Sequence, residues 1–127
     1  MLNLPLKLFS GSSHPALADE IAKHLHVKVE EMKLTRFACN EIYARPEKTV
    51  RGCDVYVVQT CTDRVNEDLM ELFIIIDALK RSFAERIHVL MPHYGYARQD
   101  RVATPREPIS AKLVANLISA AGADHVI

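Results

Sequence analysis

The chain carries no net charge: sixteen Lys and Arg balance sixteen Asp and Glu over 127 residues. That balance supplies no global field, so neither nucleic acid nor an anionic membrane is expected as a partner. No apolar run approaches the ~20 residues that a membrane helix needs. The longest, such as Leu72 to Ile76, is short and belongs to an amphipathic pattern. Its cysteines, Cys39, Cys53 and Cys61, are odd in number and lack Cys-x-x-Cys spacing. With an amino terminus that is not signal-like, they point to a reducing cytoplasm. The six histidines, His24-x-His26 among them, show no second ligand pair at zinc-like spacing, so no structural metal is expected. Repeats, low-complexity segments and an interdomain linker are also missing, and a single unit over residues 1–127 is expected.

Short apolar runs alternate with segments of helical period, the βαβ signature of an α/β fold with a mainly parallel sheet flanked by helices. Lys7 to Ser10 reads as the first strand. Ser13 and Pro15 are expected to start a helix, Ser13 through its side-chain oxygen, with Leu17, Ile21 and Leu25 as the buried stripe. Val27 to Arg36 and Glu41 to Tyr43 read as extended and joined by Phe37 to Asn40, a projecting β-hairpin. Val55 to Gln59 suits a central strand. Asn66 to Phe83 follows as a helix capped by Asn66, with Leu69, Leu72, Phe73, Ile76, Leu79 and Phe83 on one face. Ile87 to Met91 gives another strand, Ile109 to Ala121 a helix ended by Gly122, and His125 to Ile127 the start of a last strand.

The segment from Ile87 to Lys112 is where chemistry is expected. An apolar strand opens through Pro92 and Gly95 into Arg98-Gln99-Asp100-Arg101, and a helix restarts at Pro108. Ligands of open parallel sheets bind in the crevice at such strand ends. Arg98, Arg101, Arg106 and Lys112 gather there against only Asp100 and Glu107, which suits a polyphosphate. A guanidinium offers a planar fork of donors that stays charged at any working pH, and Gln adds directional amide bonding. The ordinary alternative is a solvated surface on which Arg98 pairs with Asp100, Glu107 or Asp124. Ser10-Gly11-Ser12-Ser13 sits between strand and helix like a phosphate cradle but lacks a Walker Lys and its spacing, so a helix cap is expected there. Asp54 and Asp63 read as turn residues.

Tyr94-Gly95-Tyr96-Ala97-Arg98-Gln99-Asp100-Arg101, followed by Arg106-Glu107-Pro108-Ile109-Ser110-Ala111-Lys112-Leu113-Val114-Ala115-Asn116, closely resembles the ATP-site segment of ribose-phosphate pyrophosphokinase, also called PRPP synthetase. Phe9-Ser10-Gly11-Ser12-Ser13-His14, Val50-Arg51-Gly52-Cys53-Asp54-Val55-Tyr56, Asn66-Glu67-Asp68-Leu69-Met70-Glu71-Leu72 and Ala121-Gly122-Ala123-Asp124-His125-Val126-Ile127 resemble the family in its order and spacing. The resemblance implies a phosphoribosyltransferase-like amino-terminal domain in a magnesium-dependent enzyme. That enzyme transfers the β,γ-diphosphoryl group of ATP to ribose 5-phosphate, giving PRPP and AMP. It implies ATP binding by Arg98 and Gln99, and by Phe37 and Glu41 reaching from the hairpin into a neighbouring subunit's site in a homo-oligomer. It also implies a regulatory phosphate at Arg51 and Arg106. From the residues alone, the ordinary reading is favoured, with Phe37 in the core, Glu41 solvated and Arg51 simply exposed.

Several family features have no counterpart. The segment that supplies a magnesium ligand, the flexible catalytic loop and the ribose 5-phosphate loop are all missing, so no catalytic residue and no metal ligand is expected within this chain. Cys39 stands where the family usually has Asp or Asn, and Ala103 where some relatives have Asp. The chain thus reads as an amino-terminal half-enzyme, inactive alone, that needs a carboxyl half. The alternative is a catalytically silent regulatory or assembly module of PRPP synthetase.

Overall fold

A computed structural model describes residues 3–127. Its main sheet has four parallel strands in the order β1-β4-β5-β6: β1 Leu6–Ser10, β4 Asp54–Val58, β5 Arg86–Leu90 and β6 His125–Val126. Between β1 and β4 the chain forms helix α1, Pro15–Leu25, and an antiparallel hairpin of β2, Met32–Arg36, and β3, Ile42–Pro46. Helix α2, Val65–Arg81, connects β4 to β5, and α3, Ser110–Ala121, connects β5 to β6. The α/β class, the parallel sheet and the hairpin agree with the sequence reading.

Strand β4 lies between β1 and β5 and is apolar on both faces, as a central parallel strand must be. Val55 and Val57 point into the larger core with Leu72, Ile75, Ile76 and Leu79 of α2 and with Val114 and Ile118 of α3. Val58 faces the smaller core with Leu8 and with Ala18 and Ala22 of α1. Each fully buried aliphatic side chain contributes roughly 1.5–3 kcal/mol relative to exposure. Helix α2 carries Glu67 and Asp68 in its first turn and Lys80 and Arg81 in its last, the arrangement that suits its dipole.

Local details differ from the sequence reading where tertiary contacts outbid local ones. His14, not Ser13, caps α1: its Nδ1 accepts from the Leu17 N–H at 3.1 Å. Ser13 instead donates to the buried Gln59 side chain. Leu25, expected in the stripe, is 51% exposed because the helix ends beside it and His26 turns left-handed. Ala18 and Ala22 make the closest contact with the sheet.

Asn66 does not cap α2, which starts one residue earlier after Arg64. The α2 entry is fixed by Asp68, whose Oδ2 accepts from the N–H and the hydroxyl of Thr62, both at 2.7 Å. Phe83 lies beyond α2 with φ +63° and is 61% exposed. The helix closes at Ser82, whose hydroxyl donates to the Ala78 carbonyl, and the chain then reverses. Asp54 is not a turn residue: it opens β4 and bonds His88 Nε2 at 2.7 Å.

Candidate functional site

The segment from Met91 to Ile109 leaves the carboxyl end of β5 and returns at the start of α3. Three anchors hold its first half against the core. The Cys61 N–H donates to the His93 carbonyl at 3.1 Å. The Tyr94 hydroxyl donates to the Ala111 carbonyl at 2.9 Å, and the Tyr96 hydroxyl to Asn66 Oδ1 in the first turn of α2. Gly95 is buried between them, where a Cβ would lie 2.6 Å from Val65 Cγ2 and 2.8 Å from Cys61 Sγ. Burial pushes the Cys61 thiol pKa up, with the Asp68 charge adding to the rise and the Gly95 backbone opposing it. Burial likewise raises that of the Tyr94 phenol.

Arg98 and Gln99 follow directly and form a wall shared by two shallow hollows. One, of about 360 Å³, also involves Arg101, Ala103, Glu107 and Pro108. The other, of about 300 Å³, also involves His93, Tyr94 and Tyr96. Among the described residues, no carboxylate oxygen lies within 4.0 Å of the charged groups of Arg98, Arg101, Arg106 or Lys112. Two carboxylates that could have neutralised Arg98 are occupied elsewhere. Glu107 Oε2 accepts from the N–H groups of Ala103 and Thr104 at 3.0 and 2.9 Å, and Asp124 Oδ2 accepts from the Ile87 N–H at 2.8 Å. The loop therefore exposes unpaired guanidinium donors at the edge where ligands of parallel sheets bind. Bidentate recognition of phosphate oxygens is what such donors do.

Phe37 and Glu41 occupy the hairpin tip, where the Phe37 N–H donates to the Glu41 carbonyl at 2.8 Å. Phe37 is 55% exposed and meets Tyr43 edge-on at 5.8 Å between ring centroids, so it is not core. Arg36, the last residue of β2, pairs with Glu67 at 3.0 Å and ties the hairpin to α2. Glu41 and Cys39 line a hollow of about 660 Å³ between hairpin and α2, together with the apolar Ile42, Met70 and Ile74. Neither Arg98 nor Gln99 lines it. Within one chain the two candidate groups thus do not share a cavity, although Asn66 borders the hairpin hollow and bonds Tyr96 of the cationic loop.

Arg51 and Arg106 also stand apart. Arg51 is in the turn that leads into the amino end of β4, with its guanidinium 4.3 Å from the Phe83 ring centroid. Arg106, at φ +74°, precedes α3 at the opposite, carboxyl end of the sheet.

The serine turn does not offer its donors to a ligand. Glu71 accepts from the Ser12 N–H and hydroxyl, and Gln59 Oε1 from the Ser13 N–H and hydroxyl. Glu71 and Gln59 were not singled out by sequence reasoning, because nothing local marks a helix Glu or a strand-end Gln as buried. Asn66, Tyr96 and Ser110 were likewise missed as supports of the cationic loop; their only signal was position within the segments that carry the resemblance. Among the described residues, no group of three or more His, Cys, Asp or Glu side chains is placed to hold a metal ion. Also among the described residues, no helix is long and apolar enough to cross a membrane.

Known proteins match this arrangement over nearly all of the chain. A ribose-phosphate pyrophosphokinase of Clostridium perfringens is 53% identical over 122 residues, which span 96% of this chain and 38% of that protein. One from Oceanobacillus iheyensis is 54% identical over the same shares. The crystal structure of phosphoribosylpyrophosphate synthetase from Mycobacterium smegmatis superposes with a TM-score of 0.93 at 50% identity, covering 96% of this chain and 41% of that one. The chain therefore spans about two fifths of the length of these relatives. A family model described as the N-terminal domain of ribose phosphate pyrophosphokinase matches residues 6–122. With the parallel sheet, the hairpin and the unpaired Arg98 loop in place, the chain belongs to the family of ribose-phosphate pyrophosphokinase amino-terminal domains.

Proposed function

We propose that this chain is the nucleotide-binding portion of a ribose-phosphate diphosphokinase, with Arg98 and Gln99 as the ATP contacts it contributes from its own cationic loop. The observation that carries the reading is Arg98, exposed at the carboxyl edge of the sheet with none of its candidate partners Asp100, Glu107 and Asp124 within ion-pair distance, the last two engaged by backbone N–H groups. Unpaired donors of this kind bind phosphate oxygens strongly because no internal ion pair must first be broken.

Phe37 and Glu41 complete the site of a second copy: the exposed ring stacks on the base and the carboxylate accepts from its amino group. That Arg98 and Gln99 do not line the hairpin hollow supports this exchange, which makes the working protein a homo-oligomer. Arg51 of one copy and Arg106 of another would share a regulatory phosphate, since one chain holds them at opposite ends of its sheet.

In the complete enzyme the anomeric hydroxyl of ribose 5-phosphate attacks the β-phosphorus of ATP in line, releasing AMP and forming PRPP. This chain's residues hold the nucleotide, neutralise phosphate charge and fix its orientation; positioning of this kind is most of the catalysis in such transfers. Magnesium accompanies the nucleotide phosphates and supplies charge neutralisation there. The sugar-binding and reacting groups belong to the carboxyl half present in the longer relatives, so the isolated chain is inactive, and the enzyme acts in the cytoplasm.

Calorimetric titration with magnesium ATP tests the reading. The 127-residue chain binds it, and Arg98→Ala weakens binding by about 1.5–3 kcal/mol, the range for hydrogen bonds to a charged group. PRPP forms only when a carboxyl half is supplied. A chain that ignores ATP yet assembles with a full-length relative and alters its regulation would instead establish the silent assembly module. Robust turnover by the isolated chain would overturn both readings.

A further inference from the structure

His93 follows Pro92 at the carboxyl end of β5, and its main chain is pinned at both polar atoms. Its N–H donates to Thr60 Oγ1 at 2.9 Å, and its carbonyl accepts from the Cys61 N–H at 3.1 Å. Thr60 and Cys61 are buried just past the end of β4, and the Thr60 N–H in turn donates to Ser13 Oγ at 3.1 Å. Residue 93 is therefore fixed across the ends of two neighbouring strands, where ligands of parallel sheets bind. His93 is exposed even so, and with its main chain fastened to buried partners the exposed part is the imidazole. Among the described residues no hydrogen bond engages the ring, and no carboxylate oxygen lies within 4.0 Å of its nitrogens. The other histidines are committed or remote: His14 caps α1, His88 bonds Asp54, His125 meets the His88 ring edge-on, and His24 and His26 lie at the far end of α1.

The same residue lines the hollow of about 300 Å³ that it shares with Arg98 and Gln99. Arg98 has no ion pair, and the Gln99 side-chain amide hydrogen-bonds the Ser110 hydroxyl at 2.6 Å. The Tyr94 and Tyr96 hydroxyls are committed to the Ala111 carbonyl and to Asn66. Acceptors as well as donors border the space, but no Asp or Glu lines it. We propose that His93 is a further phosphate contact of this site, its imidazole N–H and the Arg98 guanidinium engaging the same phosphate-bearing part of the nucleotide. A neutral imidazole already carries one N–H and a protonated one two, so the donor is present in either state. Directed at a phosphate oxygen, it makes a hydrogen bond strengthened by charge. Stacking on the base, the other use of such a ring, belongs in the proposed site to Phe37 of a second copy. The inference rests on the nucleotide reading of Arg98 and Gln99 and adds a residue to it.

Calorimetric titration of the 127-residue chain with magnesium ATP and with magnesium tripolyphosphate tests it, alongside NMR of the histidine ring protons. The variants are His93→Ala, His93→Phe, Arg98→Ala and, as a control on an exposed histidine away from the site, His24→Ala, each retaining native circular dichroism. His93→Ala and His93→Phe should weaken both ligands by a similar factor, roughly tenfold, as expected for a hydrogen bond to a charged group. His24→Ala should weaken neither. In the wild type the His93 ring protons should shift on addition of ATP or tripolyphosphate and stay in place on addition of adenosine.

Wild-type affinity for both ligands in His93→Ala, with the Arg98→Ala loss retained, would overturn the His93 contact while leaving the nucleotide reading intact. ATP binding kept by His93→Phe but lost in His93→Ala would give the ring to the base and overturn the phosphate contact. His93-dependent binding of tripolyphosphate as tight as that of ATP would uphold the contact and sink the nucleotide reading. A wild-type chain that binds neither ligand would overturn both.

Discussion

The carboxylate of Glu71 grips Ser12 twice, accepting from its N–H through Oε1 and from its hydroxyl through Oε2, each at 2.6 Å. Glu71 projects from α2 and is 4% exposed. It thus places a negative group against the turn between β1 and α1. The strand-to-helix turn rich in Ser and Gly is thereby tied to α2 as an internal brace.

Removal of that brace should cost stability without creating a phosphate site. Glu71→Ala removes two hydrogen bonds to Ser12, an exposed residue whose donors water can then take up, each bond worth about 0.5–1.5 kcal/mol net. We expect the urea unfolding free energy to fall by about the size of one or both bonds. ATP affinity per folded molecule should stay unchanged, because Arg98 and Gln99 belong to a different loop.

The brace has a second member in Gln59, which is 1% exposed and accepts from Ser13 while its amide donates to the Asp68 carbonyl at 3.1 Å. A Cβ on Gly11 would lie 2.0 Å from Gln59 Oε1. Gly11→Ala should therefore destabilise by about 1–3 kcal/mol through overpacking, read as a lowered Tm. Gly11→Ala combined with Gln59→Ala should recover part of the loss that either change causes alone, a non-additivity that identifies steric conflict as the cause.

Gly95 links stability to ligand binding. Added bulk there meets Val65 and Cys61 and must displace the loop that carries Arg98. Gly95→Ala should lower both Tm and ATP affinity, whereas Leu72→Ala, a cavity in the core below, should cost about 2–5 kcal/mol of stability and leave affinity per folded molecule unchanged. Parallel melting and titration separate the two.

Alkaline pH should weaken the fold through Cys61. Its thiol pKa is raised by burial, so on raising the pH the unfolded chain gives up this proton before the native one does. The stability this group contributes is fully present below the ordinary thiol value of about 8.5 and is lost as pH rises from there through the folded-state value. Urea midpoints measured from neutral to alkaline pH should fall, and less so in Cys61→Ala. In the native chain a thiol reagent should modify exposed Cys39 first, with buried Cys53 and Cys61 reacting only on unfolding.

Much of the fold was written in local pattern. Val55 to Gln59, a β-branched and aromatic run, suited a central strand, and the spacing of Leu69, Leu72, Ile76 and Leu79 marked one side of a helix to be buried against it. The order of residues from Tyr94 to Asn116 carried the family and pointed to Arg98 and Gln99. These features are local: a periodicity or a motif states its meaning within a few residues.

Tertiary structure decided what depends on partners distant in sequence. Ser13 had the chemistry of a cap but was taken by Gln59, forty-six residues away, leaving the cap to His14. Asn66 was drawn from the helix start to Tyr96 thirty residues on, and Phe83 was left outside α2 because Ser82 closed the helix first. The charge state of the site followed the same rule. By sequence Arg98 could have been neutralised by Asp100, Glu107 or Asp124, and only the folded chain commits the last two to backbone amides and leaves Arg98 without an ion pair. Sequence supplied the donors and acceptors, whereas their pairing depended on three-dimensional proximity, because a buried polar group must bond whatever the fold brings near it.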